Sequence, residues 1–518
     1  MSEKLQVLPI GIQSFANLRQ NGYLYVDKTE RLLNLVEAGE RYFLSRPRRF
    51  GKSLTLSTLD AMFSGKAELF EGLAAEAWVR EQAKRPSPVL RLDMSTMKTD
   101  TASDLEKALI GRLRRTAKKF QLTSSGETLE ETFGDLLEDL FETYGPVVVL
   151  IDEYDKPILD HLGDVKAAEA LRGALRSFYT VLKGCDEYLR FVMLTGISKF
   201  AKTGVFSAMN NLQDISMNER YGDIVGCTQP ELETYFSGWI DAAAGKMNLT
   251  REELLKQMAD YYDGFCFDGN TRLYNPFSIL NFFSERRFAN YWYKSGSPSF
   301  IVEYMRRHAI QDPEAYRHLE VDQDFADSQE IERARPESFL YQSGYLTIER
   351  WEGQALTLDY PNREVLDSIS RMYLELVYHV EGYTALGSRL WRALRDGDME
   401  ETVRLYNAAL AGIPYEDFAK EDESLYRSLF LMLLRGAGVN AFGEVHTNKG
   451  RSDVLVLFPD RAVVLEFKLA RRPSEIERLR EEGMRQIEEK GYAAPYAGQR
   501  AVTSAVIVVD GTRRQAVL

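Results

Sequence analysis

The stretch RYFLSRPRRFGKS, residues 41–53, decides how the first half of the chain is read. Tyr42, Phe43 and Leu44 form a short apolar run suited to a buried strand, and a basic loop follows that ends in Gly51-Lys52-Ser53. The next residues, LTLSTLDAMF (54–63), carry a helical pattern. Strand, loop and helix in this order make a P-loop (Walker A), in which backbone N–H groups and the positive end of the helix receive phosphates. The candidate nucleotide contacts are Arg49, Phe50, Gly51, Lys52, Ser53 and Leu54, with Lys52 on the β- and γ-phosphates and Ser53 on Mg²⁺. One position departs from the pattern G-x-x-x-x-G-K-[ST]: Arg46, followed by Pro47, stands where the first glycine is expected. A lone Gly-Lys-Ser recurs by chance, so the reading needs a second element.

That element is Val147-Val148-Val149-Leu150-Ile151 running into Asp152-Glu153. A continuous apolar run of this length suits a parallel strand buried on both faces. Ligands bind at the C-terminal edge of such strands. The chemistry of a Walker B pair then gives Asp152 the Mg²⁺ shell and Glu153 the polarisation of an attacking water, so that hydrolysis follows binding. Val89–Leu92 before Asp93 and Phe191–Leu194 before Thr195-Gly196-Ile197-Ser198 read as further strands of the same sheet. Their order suits the P-loop division in which an extra strand separates the phosphate-binding strand from the acidic one. Thr195 or Ser198 becomes the polar group at a strand tip near the γ-phosphate, although either hydroxyl equally well caps a following helix. Ile224-Val225-Gly226-Cys227 is read as a fifth strand.

With 518 residues, the chain is long enough for several cores, and at 44% hydrophobic and 28% charged it has an ordinary globular composition. No apolar run reaches the roughly 20 residues that span a bilayer, and the start MSEKLQVLPIG lacks a basic, then apolar, leader, so a cytoplasmic protein without a membrane partner is expected. Cys185, Cys227 and Cys266 have no CxxC spacing and read as core thiols. A net charge of −13 excludes a protein that coats nucleic acid over its whole surface. Contact with nucleic acid must be local, and basic clusters lie at Arg46, Arg48, Arg49 and Lys52, and at Lys468, Arg471 and Arg472. The second cluster reads equally as a solvated face.

Between Ser452 and Lys468 the chain runs SDVLVLF, turns at Pro459-Asp460, and returns through AVVLEFK. Symmetric pairing about that turn sets Leu457 against Ala462, Leu455 against Val464, and Asp453 against Glu466. Side chains alternate along a strand, so Asp453, Glu466 and Lys468 share one face while Val454, Val456, Val463, Leu465 and Phe467 fill the other. Two carboxylates so close repel unless a cation sits between them, and Mg²⁺ or Mn²⁺ fits oxygen ligands. With Lys468 to orient or deprotonate water, this is the arrangement for metal-assisted phosphodiester hydrolysis. His446 lies beside the site and reads as structural. Farther back, Tyr345–Ile348 and Leu356–Leu358 read as short strands around a turn with Gly353, between helical patterns, and 378–418 reads as a helical connector.

The segments GIQSFANLRQNGYLYVDKTE, SRPRRFGKS, VVVLIDEYDKP, LTGISKF and YYDGFCF…LYNPFSILNFF together resemble the AAA-ATPase-like proteins of bacteria, which also carry arginine at the position of Arg46. That resemblance covers roughly residues 5 to 285. It implies that Tyr25, Asp27, Lys28 and Thr29 lie near the nucleotide end, and that the middle segment is a winged-helix-like lid. Asp453…Glu466-Phe467-Lys468 resembles the PD-(D/E)xK nuclease superfamily, with Ser452 in place of the proline. By that resemblance Glu423 is the upstream acidic residue, in competition with Glu444, and Gln486 is the polar group of the following helix. The implied fold is a multidomain α/β chain: a P-loop domain (1–285), the lid (286–377), the connector (378–418) and a restriction-endonuclease-like α/β domain (419–518). The expected nucleotide contacts are the P-loop residues with Asp152 and Ser198. The expected metal ligands are Ser53, Asp152, Glu423, Asp453 and Glu466, and the expected catalytic groups are Glu153, Asp453, Glu466, Lys468 and Gln486.

The function so implied is ATP hydrolysis coupled to a metal-dependent nuclease acting on DNA or RNA, in defence or mobile-element control. A nucleotide-dependent switch whose nuclease-like domain binds nucleic acid or protein without cutting is the alternative. An oligomer is compatible with both readings, and Arg220 is a candidate for an arginine supplied by a neighbouring subunit.

Overall fold

A computed structural model describes residues 5–161, 163–199, 211–294, 301, 304–305, 312–326, 335–380, 382–413, 422–447 and 449–518. The chain forms two compact units: one of residues 1–303 with 318–363, the other of 304–317 with 364–518. Residues 414–418 of the expected connector lie outside the described residues, and before them the helices Tyr383–Asp396 and Met399–Leu410 are formed.

In the first unit, strands β1 (Arg41–Ser45), β2 (Val89–Asp93), β3 (Val147–Asp152), β4 (Leu189–Gly196) and β5 (Gln213–Asp214) make a parallel sheet in the order β2-β3-β4-β1-β5. As expected, β4 separates the P-loop strand β1 from the acidic strand β3. Every residue of β3 is buried, which explains why it reads as an unbroken apolar run rather than an alternating one. Helices Ala102–Lys119, Leu129–Tyr144 and Val165–Gly184 carry Leu109, Phe133, Leu137, Leu171 and Phe178 into the core beneath β2 and β3. Thr128 starts the second of these with a capping box, its hydroxyl accepting from Glu131 N at 3.2 Å while Glu131 Oε2 accepts from Thr128 N at 3.1 Å.

The fifth strand is a correction. Ile224–Cys227 is not a strand, and the edge position is taken by Gln213–Asp214, which pairs with Tyr42 and Phe43. Gly226 sits at φ 84°, a left-handed conformation that ends extension, and its N–H is turned to Phe50 O at 3.2 Å. Cys227 keeps only an isolated antiparallel bridge to Tyr274.

Farther along, helix Pro336–Ser343 leads into a hairpin of β7 (Thr347–Glu352) and β8 (Ala355–Asp359), and helix Arg363–Met372 follows. The order of helix, hairpin and helix matches the expectation, but the first strand starts at Thr347, leaving Tyr345 and Leu346 outside it, and both strands run further than read. A third strand, β6 (Leu319–Asp322), pairs antiparallel with β8 and went unread in the sequence.

The second unit is built on a mixed sheet, β13-β12-β11-β10-β9, made of β9 (Ala441–His446), β10 (Arg451–Leu457), β11 (Arg461–Ala470), β12 (Ala501–Asp510) and β13 (Gln515–Val517). Only β11 and β12 run parallel. Val464 and Val506 share a core with Ile487 of helix Ile476–Lys490. Phe467 meets Phe430 of helix Glu423–Gly436, with ring centroids 5.5 Å apart. Alternation along β11 thus gives each helix its own face of the sheet. Among the described residues, no helix is long and apolar enough to cross a membrane.

Candidate functional site: a phosphate loop and a carboxylate cluster

Helix Lys52–Phe63 begins at Gly51, which stands at φ 100° and offers no side-chain cap. Its first N–H groups are therefore left for an anion. Lys52 is buried, and its ammonium donates to Arg46 O at 2.8 Å and Pro47 O at 3.0 Å. Burial lowers its pKa, against the pull of Asp152 and Glu153. Arg46 points away from this loop mouth. Its guanidinium donates to Ser45 O and Ser216 O at 2.9 and 2.6 Å and lies 4.3 Å from the Phe267 ring centre, and burial pushes its pKa down to about 10. The arginine in the glycine position is thus a core residue behind the loop.

At the tip of β3, Asp152 Oδ1 accepts from Thr195 Oγ1 at 2.7 Å. Of the two hydroxyls considered for the β4 tip, Thr195 is the one joined to the acidic pair. Ser198 donates through N and Oγ, both at 2.7 Å, to Asp155 Oδ2 instead, so its hydroxyl is engaged away from Asp152. Glu153 has φ 48°, and burial raises its pKa.

A cavity of about 530 Å³, within the range of small-molecule sites, opens on this loop. Its lining includes Arg49, Phe50, Gly51, Lys52, Ser53 and Leu54, together with Ser95 and Glu153. Tyr25 and Lys28 line it too, whereas Asp27 binds Thr29 N and Thr29 Oγ1 at 2.8 and 2.7 Å and stitches a turn. Apolar lining from Ile12, Val26, Phe236 and Ile279 was not foreseen: the first two and Ile279 lie in the segments quoted for the resemblance, but nothing in their residue type marks a ligand contact. Arg49 stacks 4.9 Å from the Phe277 ring centre, and Arg220 lies exposed over its neighbour Tyr221.

In the second unit the pairs Val454↔Leu465, Leu455↔Val464 and Leu457↔Ala462 reproduce the expected register, which sets Asp453 beside Glu466. Asp453 Oδ2 accepts from Phe467 N at 2.8 Å, and Oδ1 from Arg427 Nη1 at 3.0 Å. Glu466 is 2% exposed; its Oε1 accepts from Lys468 Nζ at 2.9 Å. Its Oε2 is buried with no hydrogen-bond partner among the described residues. Burial first, and then the Asp453 charge, push the Glu466 pKa up to about 7. Lys468 also donates to Gln486 Oε1 at 3.1 Å. Glu423 Oε2 accepts from Leu469 N at 3.2 Å, and burial raises its pKa against the opposing charge of Lys468.

The geometry therefore links Glu466, Lys468 and Gln486 in one hydrogen-bonded chain, with Asp453 and Glu423 held on the Phe467 and Leu469 N–H groups of the same strand. Among the described residues the three carboxylates do not all close to within 4.8 Å of one another. Glu444 lies on the far side of Arg427, at 2.8 Å, and is shared with Arg451 at 2.9 Å. Arg427 was missed in the sequence; the available signal was its place four residues beyond Glu423, on the same helix face. An orphaned buried carboxylate oxygen within a donor set made only of oxygens fits a hard divalent cation such as Mg²⁺ or Mn²⁺.

Residues 9–206 match the family described as AAA-ATPase_like, predicted AAA-ATPase, and residues 421–517 match the PD-(D/E)XK nuclease superfamily. A protein of Azotobacter chroococcum mcd 1, described as an uncharacterized protein in the vnfD 5′ region, is 35% identical over 501 residues, covering 94% of this chain and 93% of that one. Among solved structures, the Aeropyrum pernix ORC1 protein in complex with DNA is similar at 12% identity and TM-score 0.25, over 82% of this chain and 88% of that one. The Aeropyrum pernix ORC2 protein, in ADPNP–ADP complexes, gives 13% identity and TM-score 0.28, over 80% and 85%.

Proposed function

We propose, because this chain, which belongs to the family of the Azotobacter chroococcum protein, carries a predicted AAA-ATPase match ahead of a PD-(D/E)XK nuclease superfamily match, that it hydrolyses ATP in its first unit and cleaves nucleic-acid phosphodiester bonds in its second. The observation that carries the nuclease reading is the unpartnered Glu466 Oε2, buried beside Asp453 and within reach of Lys468 chemistry. A carboxylate left so is costly unless a cation completes it.

In the first unit, the uncapped N–H groups after Gly51 receive phosphate, and Lys52 exchanges the carbonyls of Arg46 and Pro47 for phosphate oxygens. Ser53 and Asp152 hold Mg²⁺, with Thr195 fixing the Asp152 carboxylate. Glu153 takes the proton of the attacking water, a role its raised pKa suits.

In the second unit, Asp453, Glu466 and Glu423 hold the divalent ion, which when bound lowers the pKa of water and neutralises charge on the phosphate. Lys468 orients the water and stabilises the phosphate oxygens, and Gln486 holds the Lys468 ammonium in place. The test is cleavage of plasmid and single-stranded DNA and of RNA with Mn²⁺ or Mg²⁺, with and without ATP. Cleavage that disappears in Glu466→Ala and Lys468→Ala supports the reading, and cleavage unchanged in both removes the site. Turnover of ATP without metal-dependent cutting under any of these conditions would leave the switch reading in its place.

A further inference from the structure

Three acidic side chains stand side by side across the C-terminal sheet. The pairs Ser452↔Val445 and Val454↔Gly443 make Asp453 the cross-strand neighbour of Glu444 on β9, and Val454↔Leu465 makes it the neighbour of Glu466 on β11. Directly opposed like charges on one face destabilise a sheet unless a positive charge lies between them. On the Glu466 side the buried oxygen is orphaned. On the Glu444 side the chain supplies its own cation: Arg427, with a side chain 12% exposed, spans Asp453 Oδ1 at 3.0 Å and Glu444 Oε1 at 2.8 Å. Its Nε is buried with no hydrogen-bond partner among the described residues, and the Glu314 and Glu423 carboxylates also lie within its electrostatic reach. Glu444 meets it from a left-handed backbone conformation, φ 51°, a strained geometry for a glutamate.

We propose that Arg427 is a resident cation that competes with the divalent ion for Asp453 and so sets the metal affinity of the site. The inference rests on the nuclease reading above and adds a control to it. With Arg427 in place, Asp453 already shares its charge, and an arriving divalent ion meets a fixed positive charge one carboxylate away. Removing the guanidinium returns the full charge of Asp453 to the site and releases one of the two arginine contacts of Glu444, the other being Arg451 at 2.9 Å. Lysine at this position keeps a positive charge but loses the two-pronged geometry.

Binding of Mn²⁺ to the full chain, measured by calorimetry and by the electron paramagnetic resonance signal of free Mn²⁺, tests this without any substrate. Arg427→Gln and Arg427→Met are expected to bind Mn²⁺ about ten-fold more tightly than the parent chain, or to take up an additional equivalent, as removal of a nearby like charge demands. Arg427→Lys should fall between. Equal or weaker binding in both variants, with their far-ultraviolet circular dichroism unchanged, overturns the competition while leaving the nuclease reading intact. If neither the parent nor the variants bind Mn²⁺, the nuclease reading itself falls, and this inference with it. Should one variant fail to fold, the other carries the comparison.

Discussion

At Glu466, burial and the neighbouring Asp453 raise the pKa to about 7, so the carboxyl is largely protonated below neutrality. Metal ligation needs the carboxylate, and Mn²⁺ affinity is therefore expected to climb steeply between about pH 6 and 8 and to flatten above that. Titrating Mn²⁺ at several pH values checks this, and Glu466→Gln should abolish most of the binding and its pH dependence together. The linkage to folding has the opposite sign. A group whose folded pKa lies above its unfolded value contributes stability at low pH and loses it as pH rises through the folded pKa, here from about 4.5 to about 7. Without metal, the melting temperature of the parent should accordingly decline over that window relative to Glu466→Gln. Thr195 gives a second residue-level expectation: its hydroxyl donates to Asp152 Oδ1 at 2.7 Å, a hydrogen bond of a kind worth about 1 kcal/mol or more. Thr195→Val should lower ATP turnover by about ten-fold or more while leaving affinity for a non-hydrolysable analogue nearly unchanged, as expected of an interaction used mainly in the reacting state.

Among the elements, helix Ile476–Lys490 approaches β12 so closely at Gly483 that an added Cβ would lie 2.7 Å from Val506 Cγ1. Gly483→Ala is expected to destabilise the C-terminal unit by about 1–3 kcal/mol through overpacking, read from its thermal or urea transition. The β10–β11 hairpin was legible because a tight turn and a period of two leave one register, and that register carried Asp453 and Glu466 into place. β3 was legible for a different reason, since full burial removes polar residues and makes the strand stand out. Short pairings offered no such signal: β5 has two residues, and β6 shows an alternating exposure too brief to separate from a loop. Ile224–Cys227 misleads because an apolar run suggests extension, although the glycine within it allows the left-handed bend that the fold uses. Glu423 comes only from the family resemblance, and Arg427, one helical turn beyond it, is passed over because its tie to Asp453 depends on the three-dimensional approach of a helix start to a strand end.

On the scale of the whole molecule, each unit has its own core and its own charged site. Calorimetric scans are expected to show two transitions. An ATP analogue with Mg²⁺ should raise mainly the one lost in a P-loop variant such as Lys52→Ala, and Mn²⁺ alone should raise mainly the one sensitive to Gly483→Ala. A single transition shifted equally by both ligands would show the units to be one cooperative body. Within the first unit, the end of β4 carries more than Thr195. Its Gly196 carbonyl accepts from Arg46 N at 3.2 Å, the next carbonyl, of Ile197, accepts from Ser45 Oγ at 2.6 Å, and the Thr195 carbonyl accepts from Tyr154 N at 3.0 Å. The loop that cradles phosphate and the turn that presents the acidic pair thus hang from one gatepost, and neither leaf can swing without tugging the other.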